Sequence, residues 1–173
     1  ITPELFLEKA KDIKKELDLV VNATDKRDLF VLLIGGFSTG KSTALNSLLG
    51  REILPEKVTP ETAIPAELHF DIDEHIMALS VNGDWSKHDL SALADLSDKA
   101  NQYQVVRIYL NSSMLKEIQP LVLVDMPGFD SGLDQHNSAI LRYITTGALY
   151  LYMVNAKAGT VNSQDVRRIE EIL

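Results

Sequence analysis

A chain of 173 residues, 45% hydrophobic and 24% charged, has enough interior for one α/β domain and the balance of an ordinary soluble protein. Its net charge of −8 opposes general binding to nucleic acid or anionic lipid, because both present phosphates that an acidic surface repels. No cysteine is present, which excludes a disulfide framework and a cysteine zinc site and suits a reducing cytoplasm; no apolar run approaches the roughly eighteen residues that span a bilayer.

The first predicted element is an amphipathic helix within residues 1–28. Thr2 can cap it, Pro3 stands at its first position and Glu4 in its first turn, while Leu5, Phe6, Ile13, Leu17 and Val20 recur at roughly helical spacing. That apolar stripe packs either on its own domain or in a bundle completed by further sequence. Ile1 in place of Met, and an end inside the helical run "SQDVRRIEEIL", lead us to expect a piece of a longer protein.

After the polar break "TDKRD", the branched apolar run "LFVLLIGG" predicts a strand buried on both faces, and "KSTALNSLLG" a helix closed by Gly50. The proline-rich "LPEKVTPETAIP" is a loop and "AELHF" a strand. Next come a strand and turn in "HIMALSVNGDW", a short helix in "HDLSALADLSDKA" and a strand in "NQYQVVRIYLN". The runs "LVLVD" and "ALYLYMVN" complete the sheet, each followed by turn residues and a helix. The alternation predicts a three-layer α/β fold over residues 29–173, its sheet mostly parallel with one antiparallel pair.

Gly35-Gly36-Phe37-Ser38-Thr39-Gly40-Lys41-Ser42 fits the phosphate-loop pattern and lies between a buried strand and a helix, the context that confirms it. Gly35 and Gly40 permit close backbone approach, so successive amides through Phe37, Ser38, Thr39 and Thr43 can face phosphate oxygens. The helix adds its positive amino end. Lys41 can reach the β- and γ-phosphates and the Ser42 hydroxyl can ligate Mg²⁺.

In "LVLVDMPGFDSG", Asp125 ends a buried strand where a second Mg²⁺ partner should stand, and Gly128 can present its N–H to the γ-phosphate. The loop between these motifs can supply a threonine that closes over the metal and γ-phosphate. Thr62 is the first candidate because it stands shortly before the next strand, and Thr59 the second.

Together, "GGFSTGKSTALNSLLG", "LPEKVTPETAIP" and "LVLVDMPGFDSG", with "ALYLYMVNAKAGTVNSQD" at the family's next strand and helix, resemble the dynamin family of large GTPases, its bacterial members in particular. The long interval before Asp125 is similar to the extra hairpin and helix of those members. The resemblance implies a GTPase that uses Mg²⁺, with Lys41 and Ser42 on phosphate and metal. Ser38 would organise the attacking water together with a monovalent cation, K⁺ or Na⁺; Thr62 or Thr59 would form the first switch, and Asp125 with Gly128 the second. It further implies GTP and GDP as ligands, pairing of GTPase domains across the nucleotide face, and membrane remodelling. The location would be cytoplasmic and, for a full-length protein, peripheral at a membrane reached through other regions; nucleic acid is not an expected partner.

This sequence departs from the pattern in three places. Phe37 replaces the glutamine of many dynamins, and Phe129 stands where Ras-type GTPases carry a water-orienting glutamine, so slow intrinsic turnover is expected. "VNAKAG" lacks the guanine-reading spacing, since Asn155 and Lys157 are not adjacent and no aspartate follows. That motif is expected beyond Leu173, and guanine preference is implied by resemblance alone. Two alternatives stay open: a nucleotide-dependent assembly module with negligible turnover, and an ATP-using phosphate-loop enzyme, although no arginine-rich lid precedes Asp125. His69, His75, His88 and His136 lack partners at metal-ligand spacing and read as surface or strand-end residues, and Trp85 as packing beside a turn.

Overall fold

The computed structural model describes residues 28–36, 38–55, 64–128, 143, 148–154 and 166–167. They build a seven-stranded sheet from β1 (Leu29–Gly35), β2 (Ala66–Phe70), β3 (His75–Ser80), β4 (Trp85–His88), β5 (Tyr103–Leu110), β6 (Leu121–Asp125) and β7 (Leu149–Met153). Its spatial order is β4-β3-β5-β2-β6-β1-β7. The described helices are α1 (Lys41–Leu49), α2 (Leu93–Asp98) and α3 (Ser113–Glu117). The expected amphipathic helix of residues 1–28 and the loop with Thr59 and Thr62 lie outside the described residues, as does Phe37.

β1 pairs in parallel with β6 and with β7, the arrangement that the apolar run "LFVLLIG" foretold. β2 then reverses the sheet. It runs antiparallel to β6 and parallel to β5, and β3 is antiparallel to both β5 and β4. The antiparallel share therefore exceeds the single pair expected. One antiparallel pair is local, since the turn at Val81–Asp84, with Gly83 at φ 95°, folds β4 back onto β3 as a hairpin; the other two, β2 with β6 and β3 with β5, join strands across longer intervals of chain.

Alternation along the strands sends side chains to two cores. On one face Val31, Leu33, Leu68, Ile76, Ile108 and Leu123 pack with Leu45 of α1, Leu93 and Leu96 of α2 and Leu115 of α3. On the other, Leu32, Ile34, Val122, Val124 and Met126 pack with Tyr143, itself a helical residue. Helical residues thus flank the sheet on both sides, giving the three layers expected. α1 ends at Gly50, whose left-handed φ of 69° no side chain adopts cheaply, while its N–H reaches the Ser47 carbonyl at 3.3 Å. The carboxyl ends of β1 and β6 and the amino end of α1 meet at one edge of the sheet, and the candidate site is built there.

Candidate functional site

Gly35 ends β1 where β7 passes so closely that an added Cβ would lie 2.3 Å from the Met153 carbonyl oxygen. Only glycine fits that passage. The loop then turns through Ser38 at φ 57°, a left-handed position rare for a residue with a side chain, and Gly40 at φ 87°. Thr39 Oγ1 donates to the Gly36 carbonyl at 3.0 Å and ties the loop to itself. Gly40 makes no side-chain cap, so the first amides of α1 remain to face a ligand.

Lys41, the first residue of α1, is buried yet charged. Its Nζ donates to the carbonyls of Gly35 at 3.2 Å and Gly36 at 3.0 Å, which folds the side chain back over the loop. A compact ammonium with three donors can in this way be stabilised by carbonyls and still present its charge to phosphate oxygens.

Asp125 closes β6 in register with Leu33 of β1 on one side and Ala66 of β2 on the other. The Met126 N–H donates to the Leu33 carbonyl at 3.3 Å and fixes the strand end. Ser42 Oγ donates to Asp125 Oδ2 at 2.5 Å, whereas Oδ1 is buried and has no hydrogen-bond partner among the described residues. Burial pushes the Asp125 carboxyl above its ordinary range, against the pull of the Ser42 hydrogen bond and the Lys41 charge. A hydroxyl beside a carboxylate with an orphaned oxygen is a donor set of hard oxygens, and it fits a divalent cation of the Mg²⁺ kind. The described residues hold no cluster of three or more acids, histidines or cysteines that could bind a metal unaided.

The structure brings Gly35, Ser38, Thr39, Gly40, Lys41, Ser42 and Asp125 to one edge, with Gly128 following β6, half-buried. Thr43 is exposed on α1, and its carbonyl accepts a hydrogen bond from Ser47 at 2.9 Å. Of the other candidates, Phe37, Thr59 and Thr62 lie outside the described residues.

Two polar features escaped the sequence reading. Asn46 is buried in α1; its amide donates to the Leu54 carbonyl at 2.8 Å and accepts from the N–H groups of Ile53 and Leu54 at 3.0 and 2.9 Å. Its signal was a polar residue between Leu45 and Leu49 of the packed helix. Glu67, buried within β2, accepts from Arg107, His69 and Tyr143. His69, read as a surface or strand-end residue, is near the end of β2 but only 10% exposed at its side chain. Strand alternation, which places Glu67 and His69 on one face, was the available clue.

A glycine loop joining a central parallel strand to a helix, and an acid at the end of the next strand, define a phosphate-loop nucleotide-binding domain. Residues 31–173 match the model of the dynamin family, and the chain belongs to that family, corresponding to part of its GTPase domain. It is similar to dynamin-like protein 2 of Campylobacter jejuni, 27% identical over 164 residues that cover 94% of this chain and 26% of that protein. It is also 36% identical over 59 residues to a probable transmembrane GTPase, FZO-like and chloroplastic, of Arabidopsis thaliana, covering 33% of this chain and 6% of that one. Among solved structures it resembles chains of an oligomerised bacterial dynamin pair described as a mechanism for long-range sensing and tethering of membranes. Two such chains superpose with TM-scores of 0.52 and 0.53 at 28% and 25% identity, over 69% and 75% of this chain and 19% and 20% of theirs. The chain spans about a quarter of its Campylobacter relative. No helix among the described residues is long and apolar enough to cross a membrane.

Proposed function

We propose that this chain binds Mg²⁺-GTP and hydrolyses its γ-phosphate, residues 29–173 forming the GTPase domain and residues 1–28 a helical element toward a bundle. The observation that carries the reading is the pair Ser42 and Asp125, joined at 2.5 Å, with the other carboxylate oxygen buried and without a hydrogen-bond partner among the described residues, beside Lys41. Ser42 and Asp125 would hold Mg²⁺, which when bound neutralises charge on the β- and γ-phosphate oxygens.

Lys41 draws the triphosphate into the loop and supports charge that develops as the bond from the γ-phosphorus to the β–γ bridging oxygen breaks. The attacking water forms the new P–O bond in line and loses its proton, leaving GDP and inorganic phosphate. Thr62 or Thr59 and the Gly128 N–H hold the γ-phosphate side, and Ser38 positions the water together with a monovalent cation, K⁺ or Na⁺. Loss of phosphate then releases both switches, which couples turnover to pairing of GTPase domains and to membrane remodelling by a longer protein. Such a protein would be cytoplasmic and peripheral at its membrane.

Phe37 and Phe129, which cannot polarise water, favour slow turnover and keep a second reading in play: an assembly module driven by nucleotide binding. Fluorescent GTP and ATP analogues titrated into this chain and into the full-length protein test the base. Tighter GTP binding by the full-length protein is expected, and equal affinity would overturn the GTPase reading. Lys41→Ala should abolish both binding and pairing. Ser38→Ala should spare binding and lower phosphate release, whereas unchanged release would favour the assembly module.

A further inference from the structure

We propose that Glu67 is a positioning residue that couples the Asp125 end of the nucleotide site to Tyr143 and to the β3–β4 hairpin; the proposal rests on the hydrolytic reading above. β2 begins directly after the loop with Thr59 and Thr62, and its first residue, Ala66, is in register with Asp125. Glu67 is the next residue, level with Val124 of β6, and its side chain lies on the face opposite α1.

Three elements converge on its carboxylate. Tyr143, 3% exposed and in the segment that follows Gly128, donates its hydroxyl to Oε1 at 2.7 Å, while its ring packs edge-on against Phe30 of β1 at 5.2 Å. Arg107 Nε on β5 donates to Oε2 at 2.8 Å. His69 Nε2 lies 2.9 Å from the same oxygen and must donate there, since a carboxylate only accepts. Both oxygens are therefore engaged.

A buried carboxylate makes this arrangement more than packing. If Tyr143 withdrew while β2 stayed, Oε1 would face a dry core with a hydrogen bond missing, a costly state. Separating β2 from Tyr143 is therefore penalised, so the strand whose first residue is in register with Asp125 and the Tyr143 side chain share one anchor. Arg107 carries the anchor outward. Its guanidinium lies 4.6 Å above the ring of Trp85, which opens β4 and is 42% exposed.

Trp85 is the single tryptophan of residues 1–173, so once any tryptophan of the full-length protein outside them is replaced by phenylalanine, its emission reads the far end of the relay. The experiment uses the full-length protein with GDP or a non-hydrolysable GTP analogue, following Trp85 emission, analogue affinity, kcat and KM in wild type, Tyr143→Phe and Glu67→Gln. In wild type the emission should differ between the two nucleotides. Tyr143→Phe removes one hydroxyl and keeps the ring on Phe30; it should abolish that difference and lower kcat about fivefold, with affinity and KM within about twofold, and Glu67→Gln should do the same.

Four outcomes overturn the inference: unchanged wild-type emission with analogue bound, a Tyr143→Phe protein with wild-type emission and kcat, retention of both in Glu67→Gln, or equal loss of GTP and GDP affinity, which marks a purely structural role. If wild type binds neither nucleotide, the hydrolytic reading itself falls, a result visible before any variant is made. Should Tyr143→Phe not fold, Arg107→Lys carries the test from the exposed end. It keeps a cation beside Glu67 but loses the planar stack on Trp85, so a wild-type emission difference in it would overturn the inference.

Discussion

Ser42 Oγ reaches across 83 residues of chain to donate to Asp125 Oδ2 at 2.5 Å, while Asp125 Oδ1 is buried without a partner among the described residues. The folded chain therefore holds a carboxylate whose ionised form is only half stabilised, and burial raises its proton affinity accordingly. Such a group costs stability until a cation meets it. Asp125→Asn should therefore leave the nucleotide-free protein as stable as wild type or more so, by up to about 1 kcal/mol. Thermal unfolding with and without Mg²⁺ and a GTP analogue checks this. Wild type should gain stability from the metal and nucleotide together, and the variant should lose most of that gain; a full gain in the variant would remove Asp125 from the metal site.

Gly35 gives a prediction about architecture rather than chemistry. A methyl group there would meet the Met153 carbonyl oxygen at 2.3 Å, and that oxygen belongs to backbone, so relief requires β1 and β7 to part at the loop. Gly35→Ala should cost about 2 kcal/mol or more in urea unfolding, and phosphate binding should weaken with it because the loop starts at that residue. Gly50→Ala is the useful contrast. Nothing lies within 4 Å of its added Cβ, so only the left-handed φ of 69° opposes it, at about 1 kcal/mol.

The central strands, the loop and Asp125 were legible in the sequence because each depends on local chemistry. "LFVLLIG" is apolar on both faces, "GGFSTGKS" has glycines where the backbone turns, and "LVLVD" ends in an acid; the strand bounds Leu29–Gly35, Ala66–Phe70 and Leu121–Asp125 follow those runs. The reversal of β2 was not legible. Strand direction depends on which partners a strand finds across long intervals, and "AELHF" would read alike in either direction. α3 also passed unnoticed, since five residues carry too little periodicity to register; its cap, Ser112 Oγ accepting from the Leu115 N–H at 3.5 Å, was the one local cue. The Glu67 network required Arg107 and Tyr143, separated from it by 40 and 76 residues, and sequence spacing does not join such positions.

Asn46 supports the approach to the first loop. Its side chain makes three hydrogen bonds to Ile53 and Leu54, immediately before the segment that carries Thr59 and Thr62, and it is 4% exposed. Asn46→Ala would strand two amide hydrogens and a carbonyl in a buried setting and should destabilise the domain by about 2–3 kcal/mol in chemical denaturation. Asn46→Asp keeps an acceptor for both N–H groups but sets a carboxylate against the Leu54 carbonyl. It should fall between wild type and alanine, and a variant as stable as wild type would show that water replaces the bonds.

The Glu67 network sets the acid limit of the fold. Burial alone would raise this carboxyl, but hydrogen bonds from His69 and Tyr143 and the charges of Arg107 and His69 outweigh it and hold the group below its ordinary value of 4.5. A group lowered on folding contributes stability above its unfolded value and loses it as pH falls through the folded one, because the unfolded chain then takes up the proton first. Asp125 has the opposite sign: its raised value makes the nucleotide-free protein relatively more stable as pH falls. Glu74 is also lowered, mainly by its hydrogen bond with Arg51, yet that pair is exposed enough for solvent to screen it. Among the described residues, the loss of stability on acidification below pH 4.5 should therefore trace mainly to Glu67. Urea unfolding at a series of pH values should show a steep decline in wild type over that interval and a shallower one in Glu67→Gln, which starts from lower stability at neutral pH; parallel curves would place the acid-sensitive group elsewhere.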